Sequence, residues 1–81
     1  MVSCGKQVKL KGGFTYTVRK ARDDYPCFYC GKPIGAGTMY IEERIWNGIV
    51  RHYHYKCFNN VMKPRVWAVE APSGIVLCTA G

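Results

Sequence analysis

The alternation of hydrophobic and polar positions predicts short strands along most of the chain. In "FTYTVRK", aromatic or β-branched residues alternate with polar ones, as in a half-buried strand. "TMYIEERI" and "IVRHYHY" predict two further strands joined at "WNG", because Asn47 and Gly48 both tolerate the positive φ of a tight hairpin turn. "RVWAVEA" and "IVLCTA" flank "PSG" and predict a second hairpin. The pattern therefore favours a chain built largely of hairpins.

One helix and one irregular region interrupt these strands. "YKCFNNVMK" predicts a short helix that ends before Pro64, although Asn59, Asn60 and Val61 are poor helix formers. "PCFYCGKPIGAG" is rich in Pro, Gly and Cys and predicts a tight, irregular turn region. We predict a single zinc-finger domain over 1–81, with a basic N-terminal segment (1–13), a finger core (14–62) and a C-terminal β-hairpin (65–80).

Size and charge narrow the function classes. A chain of 81 residues buries only about 60% of its unfolded surface, so a disulfide, a metal or an oligomer is expected to add stability. Twelve Lys and Arg against five Asp and Glu give a formal net charge of +7. The first 22 residues contain basic side chains and no acidic one. This balance favours nucleic acid as the partner, ahead of an anionic membrane surface or a merely solvated surface.

The cysteine count and the hydropathy bear on the compartment. No stretch is apolar and long enough to span a bilayer, and the start lacks a signal-peptide core, which predicts an intracellular protein, cytoplasmic or nuclear, with no membrane partner. Five cysteines are an odd number, which disfavours a secreted disulfide framework and favours metal ligands. Cys4 and Cys78 lie outside the closely spaced set. We expect them to be free thiols, and a disulfide between the two ends is the alternative.

The most informative feature is Cys27-x2-Cys30 followed by His54-x2-Cys57. Two thiolates three residues apart on a tight turn can face one ion, with Gly31 relieving crowding where the backbone folds back. A His and a Cys at i and i+3 lie on one face of a helical turn and supply the other two ligands. Four such ligands match a structural, tetrahedral Zn²⁺ site. We predict that these four residues bind one zinc ion, in the order of knuckle, hairpin and helix that is typical of treble-clef modules.

Two alternatives compete with this assignment. His52 projects to the same strand face as His54, but it is five residues from Cys57 whereas His54 is three residues away. Spacing therefore favours His54, and His52 is expected to be a packed or surface histidine. Alternatively, Cys27 and Cys30 are a redox pair or ordinary buried thiols. A redox CxxC normally follows a strand in a βαβ context, which the pattern does not predict.

From Phe14 to about Val61, the sequence resembles the PARP-type zinc finger, the DNA-break-sensing finger of poly(ADP-ribose) polymerases and some DNA ligases. The resemblance depends on "FTYTVRKAR" before the first ligand pair, on "WNGIV", and on "HYHYKCF" around the last two ligands. It implies one zinc ion held by the four ligands. It also implies that Trp46 and Val50 stack on the exposed base pair at a break and that Arg22 contacts phosphate. It implies no polymerase or ligase activity, because it covers the finger alone.

An aromatic residue at a hairpin tip offers a π-face to an unpaired or terminal base, independently of any resemblance. The basic residues in or near the finger are the candidates to follow a phosphate backbone; they are Arg19, Lys20, Arg22, Lys32, Arg44, Arg51 and Lys56. Alternatively, Trp46 packs over the hairpin, and the basic residues are solvated or, like Arg44, flank Glu42 and Glu43. We predict a small zinc-stabilised α+β fold, a treble-clef or PARP-like finger with β-hairpins and one short helix. Its predicted partner is nucleic acid, in the first place DNA at ends, nicks or single-stranded regions. No catalysis and no small-molecule substrate are expected.

Two other function classes stay open. A LIM- or RING-like protein–protein adaptor, such as a virus or phage encodes, is the first alternative, because aromatic surface typical of interface anchors is provided by Tyr16, Tyr29, Tyr40, Tyr53, Tyr55 and Trp67. "DDYPCFYCGKPI" also resembles the zinc knuckle of HNH endonucleases. The second alternative is therefore a degenerate nuclease with His52 as general base. This alternative is disfavoured because no histidine follows His54 and too few catalytic partners are left.

Overall fold

The computed structural model describes residues 2–80, which form nine strands and one helix and therefore an α+β fold. In chain order the elements are β1 (Val2–Gly5), β2 (Gln7–Leu10), β3 (Phe14–Lys20), β4 (Tyr25–Pro26), β5 (Pro33–Ile34), β6 (Met39–Arg44), β7 (Val50–Tyr53), α1 (Tyr55–Met62), β8 (Val66–Ala71) and β9 (Gly74–Ala80). The five strands and the helix predicted from the hydrophobic pattern are all present. Among residues 2–80, no helix has the length and apolar character needed to cross a membrane.

The strands form three antiparallel sheets. One has four strands in the order β2-β3-β6-β7, one has three in the order β1-β9-β8, and β4 pairs with β5. The hydrophobic pattern indicated no element in the basic N-terminal segment, which contains two strands. There, β2 lies against β3, and β1 lies against β9. In β2, Val8 and Leu10 alternate with polar residues and pack against the core, which explains why this charged segment is a strand.

The main core lies between the four-stranded sheet on one side and α1 with the three-stranded sheet on the other. From the first side come Tyr16, Val18 and Ile41, and from the second Phe58 and Leu77, all buried. The rings of Tyr16 and Phe58 meet edge to face with their centroids 5.2 Å apart, a favoured aromatic geometry. Helix α1, which follows His54 and contains Cys57, is therefore held firmly against the sheet.

The side chain of Asn59 joins α1 to strand β8. Its Nδ2 donates to the carbonyl oxygen of Ala68 at 2.9 Å, and its Oδ1 accepts from the Ala68 amide at 2.6 Å. The helix ends at Met62, and Lys63 is already extended, with φ −63° and ψ 137°, because a residue before proline disfavours the helical region. Asn59 is thus part of a structural joint between α1 and β8.

Cys4 and Cys78 form a disulfide, so the expectation of free thiols was wrong. The two residues are direct partners in the pairing of β1 with β9, and their Cα atoms are 4.1 Å apart. The reason lies in the topology, which pairs strands from opposite ends of the chain and thereby brings two thiols that are 74 positions apart into contact.

The hairpin between β6 and β7 carries Trp46 at its tip. The amide of Gly48 donates to the Ile45 carbonyl, and the Ile45 amide donates to the Ile49 carbonyl, each at 2.9 Å. Gly48 has φ +89°, and no non-glycine residue between 2 and 80 has a positive φ. Of the two predicted turn residues, Asn47 and Gly48, only Gly48 therefore adopts a positive φ. Gly13, with φ +83°, lies against Trp46, and a Cβ there would be 2.4 Å from that of Trp46. Glycine at 13 is therefore required for the tryptophan to sit where it does.

Candidate metal centre

The four predicted ligands meet at one point of the fold. Cys27 and Cys30 lie on the tight loop between β4 and β5, His54 follows β7 as the N-cap residue of α1, and Cys57 lies in the first turn of α1. Their ligand atoms all lie within 4.8 Å of one another. Two ligand pairs whose nearest members are 24 positions apart in sequence are therefore placed close enough to hold one metal ion.

The spacing of these atoms fits a tetrahedral zinc ion. The Nδ1 atom of His54 is 3.4 Å from the Sγ of Cys30 and 3.9 Å from the Sγ of Cys57. Zn–S bonds of about 2.3 Å and a Zn–N bond of about 2.0 Å would place tetrahedral S and N ligands about 3.5 Å apart. Three thiolates and one imidazole also form a donor set that zinc favours, and they fill all four positions. The site is thus consistent with one structural zinc ion.

A backbone carbonyl orients the histidine. The Nε2 atom of His54 lies 3.3 Å from the carbonyl oxygen of Pro33, so its N–H donates to that oxygen and the unprotonated Nδ1 faces the thiols. Such an outer partner fixes the tautomer and ring direction of a histidine ligand. Because this partner is a backbone carbonyl group, the residue types in the sequence gave no signal that Pro33 would contact the histidine.

The loop that carries the first two cysteines is stabilised by its own backbone. The Gly31 amide donates to the Cys27 carbonyl at 2.9 Å, and the Cys27 amide donates to the Lys32 carbonyl at 3.0 Å. Gly31 has φ +76°, while a Cβ there would meet nothing within 4 Å. The glycine is therefore needed for its left-handed backbone conformation, and the predicted role in relieving crowding was wrong.

The thiols of the cluster differ in how readily they ionise. Burial disfavours the Cys27 thiolate, but hydrogen bonds from the backbone amides of Cys30, His54 and Tyr29 outweigh burial and lower the pKa of this thiol to about 6. Burial raises the pKa of Cys57 to about 12, and hydrogen bonds and charge from the other two thiols add to the rise. A bound divalent cation stabilises thiolates, so metal binding would offset the mutual repulsion of these closely spaced sulfur atoms.

The metal centre borders a second, smaller core. Cys27 packs with Ala21, Ile34 and Tyr40, all buried. The loop is also tied to β7, because the Phe28 amide donates to the His52 carbonyl at 2.8 Å. A metal ion at the four ligands would therefore join this second core to the main one through α1.

His52 takes no part in the metal site. Its ring is stacked on Tyr25, with centroids 4.4 Å apart and planes 6° apart, and lies near Tyr40. This is the packed histidine that the spacing argument expected. The His52 ring therefore has a packing role against the two tyrosines.

The residues predicted to contact nucleic acid do not form one array. Arg19, Arg44 and Val50 share one face of the four-stranded sheet, as the strand register shows, and Trp46 lies on the turn between β6 and β7. Lys20 and Arg22 border a cavity of about 400 Å³ beside that face. Arg51 lies on the opposite face, 3.5 Å from Glu43 and stacked on the Phe28 ring, while Lys32 and Lys56 line a cavity beside the metal ligands.

Comparisons with known proteins found no relative of this chain. No protein-family model, no curated protein and no solved structure matches this chain. The interpretation of the site accordingly depends on its residues and their geometry.

Proposed function

We propose that the chain is a zinc-stabilised finger of treble-clef, PARP-like type that binds nucleic acid, in the first place DNA, and catalyses no reaction. The observation that carries the proposal is the exposure of Trp46, whose surface is 77% accessible at the tip of the β6–β7 hairpin. The alternative that Trp46 covers the core does not agree with this exposure. A tryptophan held out in this way has a free π-face for a terminal or unpaired base.

The neighbours of Trp46 support the proposal. Ile49 and Val50 are also exposed, so the tip offers an apolar surface to a base. Arg44 lies two positions before Trp46 and is also exposed. The net charge of +7 would attract the phosphates that accompany such bases.

The treble-clef part of the proposal is supported by the order of the elements. A cysteine-bearing turn comes first, the β6–β7 hairpin follows, and α1 begins at the remaining two ligands. A bound zinc ion would join the start of this unit to its end. Structural zinc in small fingers has an apparent binding free energy of about 10–16 kcal/mol, which would make the hairpin rigid enough to present its tip.

The test is a titration of nicked, blunt-ended, single-stranded and intact duplex DNA with the zinc-loaded protein. We expect Trp46→Ala to weaken binding to the preferred form by about 5- to 150-fold, the effect of losing one stacked base at about 1–3 kcal/mol. Trp46→Phe is the matched control, because it keeps an aromatic ring at an exposed position. Equally weak binding to all four DNA forms, unchanged by Trp46→Ala, would contradict the proposal.

One observation favours the adaptor as a second candidate. Phe28 and Tyr29, on the metal-binding loop, are 59% and 55% exposed. Exposed aromatic residues of this kind are frequent anchors of protein interfaces. If the adaptor is correct, Phe28→Ala and Tyr29→Ala will abolish partner binding, and Trp46→Ala will leave DNA binding as weak as before.

A further inference from the structure

One face of the four-stranded sheet is open to solvent over most of its length. The face opposite the main core carries Lys9, Thr15, Thr17, Arg19 and Arg44; together with Trp46, on the turn that follows β6, we call it the open face. Among residues 2–80, the β4–β5 region covers one end of this side, where Tyr25 packs on Tyr40 and His52. Lys9, Arg19, Arg44 and Trp46 are exposed.

A buried carboxylate organises the arginines of the open face. Glu42 lies between Arg19 and Arg44 and forms an ion pair with each, at 3.2 Å for Arg44. These contacts hold two guanidinium groups close to the sheet, and planar guanidinium groups can stack on bases and contact phosphate. One carboxylate against two arginines and Lys9 leaves the face with a net positive charge.

Aromatic and basic groups continue beyond both ends of the face. Trp46 lies at one end and Tyr40 at the other. The two residues are six positions apart, which corresponds to about 20 Å at the usual rise per residue of a strand. Beside Tyr40 is a cavity of about 400 Å³ whose walls include Lys20, Arg22 and Tyr25. The open face is therefore a positively charged strip between an exposed tryptophan and a basic cavity.

We propose that the open face binds single-stranded nucleic acid, with bases on Trp46 and Arg44 and phosphates along Lys9 and Arg19 toward the cavity. This inference rests on the proposed function and specifies its substrate. Flat strips that combine basic groups with stacking aromatics suit single strands, which expose the faces of their bases. The hydroxyl groups of Thr15 and Thr17 lie within the strip and can form hydrogen bonds with sugars or base edges.

The geometry disfavours an intact duplex on the same surface. Duplex sequence is read by an element that enters the major groove, usually a helix or a two-stranded ribbon. Helix α1 is packed against β8 through Asn59 and against the core through Phe58. The open face is broad, with four adjacent strands, so it meets bases only where they are unpaired.

Lys9 provides the sharpest test, because it lies in β2 and outside the set predicted from sequence. Its register partner is Thr15, which places the two side chains on the same face. Lys9 is exposed, so Lys9→Gln removes one charge without disturbing the core. Lys63, exposed just after α1 on the other side of the sheet, provides the matched control variant Lys63→Gln.

The experiment is a fluorescence titration of the zinc-loaded protein with twelve-nucleotide single-stranded DNA, single-stranded RNA of the same length, and the corresponding DNA duplex. We expect at least tenfold tighter binding of a single strand than of duplex, with quenching of Trp46 emission. The DNA and RNA arms identify the sugar. Lys9→Gln should reduce the slope of log K against log salt by about 0.7, the value for one phosphate contact on a single strand, and Lys63→Gln should not change it.

Each contrary result has a distinct meaning. If duplex binds as tightly as a single strand, or if Lys9→Gln behaves like Lys63→Gln, the open face is not the single-strand site, although nucleic-acid binding through Trp46 would stand. If none of the three nucleic acids binds, this inference fails, and the proposed function fails with it if nicked DNA does not bind either.

Discussion

Removal of the disulfide between Cys4 and Cys78 should lower the free energy of unfolding by about 4 kcal/mol. The two residues are 74 positions apart, so the bond closes nearly the whole chain into one loop. The loop-entropy relation gives about 4 kcal/mol at 25 °C for a loop of this size. This is a large part of the about 5–15 kcal/mol that stabilises a typical small domain. The native contacts of β1 with β9 need not change, because the effect acts through the unfolded chain.

The assay is urea unfolding followed by far-ultraviolet circular dichroism, for the wild type and the Cys4→Ala/Cys78→Ala variant at the same free zinc concentration. With a slope of about 1 kcal/mol/M, the midpoint should fall by about 3–4 M. A phosphine reductant should bring the wild type close to the variant and leave the variant unchanged. A variant midpoint within about 0.5 M of the oxidised wild type would refute the loop-entropy argument.

Three further predictions concern the metal, the helix joint and a buried tyrosine. Chelation of the metal should unfold the zinc-loaded domain, because structural zinc binds with about 10–16 kcal/mol; an unchanged circular dichroism spectrum and melting point after complete metal removal would contradict this. Asn59→Ala should cost about 2–4 kcal/mol in urea unfolding, because it leaves the amide and carbonyl of Ala68 without their partner, whereas Asn60→Ala, an exposed neighbour, should cost no more than about 0.5 kcal/mol. Burial, then a hydrogen bond to Glu43, raises the pKa of Tyr16 above its ordinary value, so this contribution to stability is complete below about pH 10 and is lost at higher pH. Tyr16→Phe should therefore melt with a shallower pH dependence above about pH 10 than the wild type, and equal slopes would contradict the assignment.

The local part of the fold was predictable from sequence because the information is local. The alternation in "FTYTVRK" reflects one buried and one open side of β3, and the observed strand has the same bounds, Phe14–Lys20. The four metal ligands were also predictable. Cys27-x2-Cys30 and His54-x2-Cys57 each place two ligands on one short turn, so only one long-range contact had to be inferred.

The parts that were missed depend on contacts between distant segments. Nothing near Cys4 indicates that β1 will pair with β9, and without that pairing the sequence does not decide between two free thiols and a disulfide. The charge of a side chain also does not predict on which face of the sheet it lies. Arg51 and Arg44 lie on neighbouring strands of one hairpin, but Arg51 is bound to Glu43 on the core side while Arg44 lies on the open face.

The two tryptophans give the molecule a pair of separate optical reporters. Trp67 is the register partner of Cys78 and so lies beside the disulfide, whereas Trp46 lies on the other sheet in solvent. Because disulfides quench indole emission at short range, fluorescence of the oxidised protein should come mainly from Trp46. Reduction should then add a second, blue-shifted band from the half-buried Trp67. Ligand binding and the redox state of the chain ends can thus be followed in one cuvette without any label.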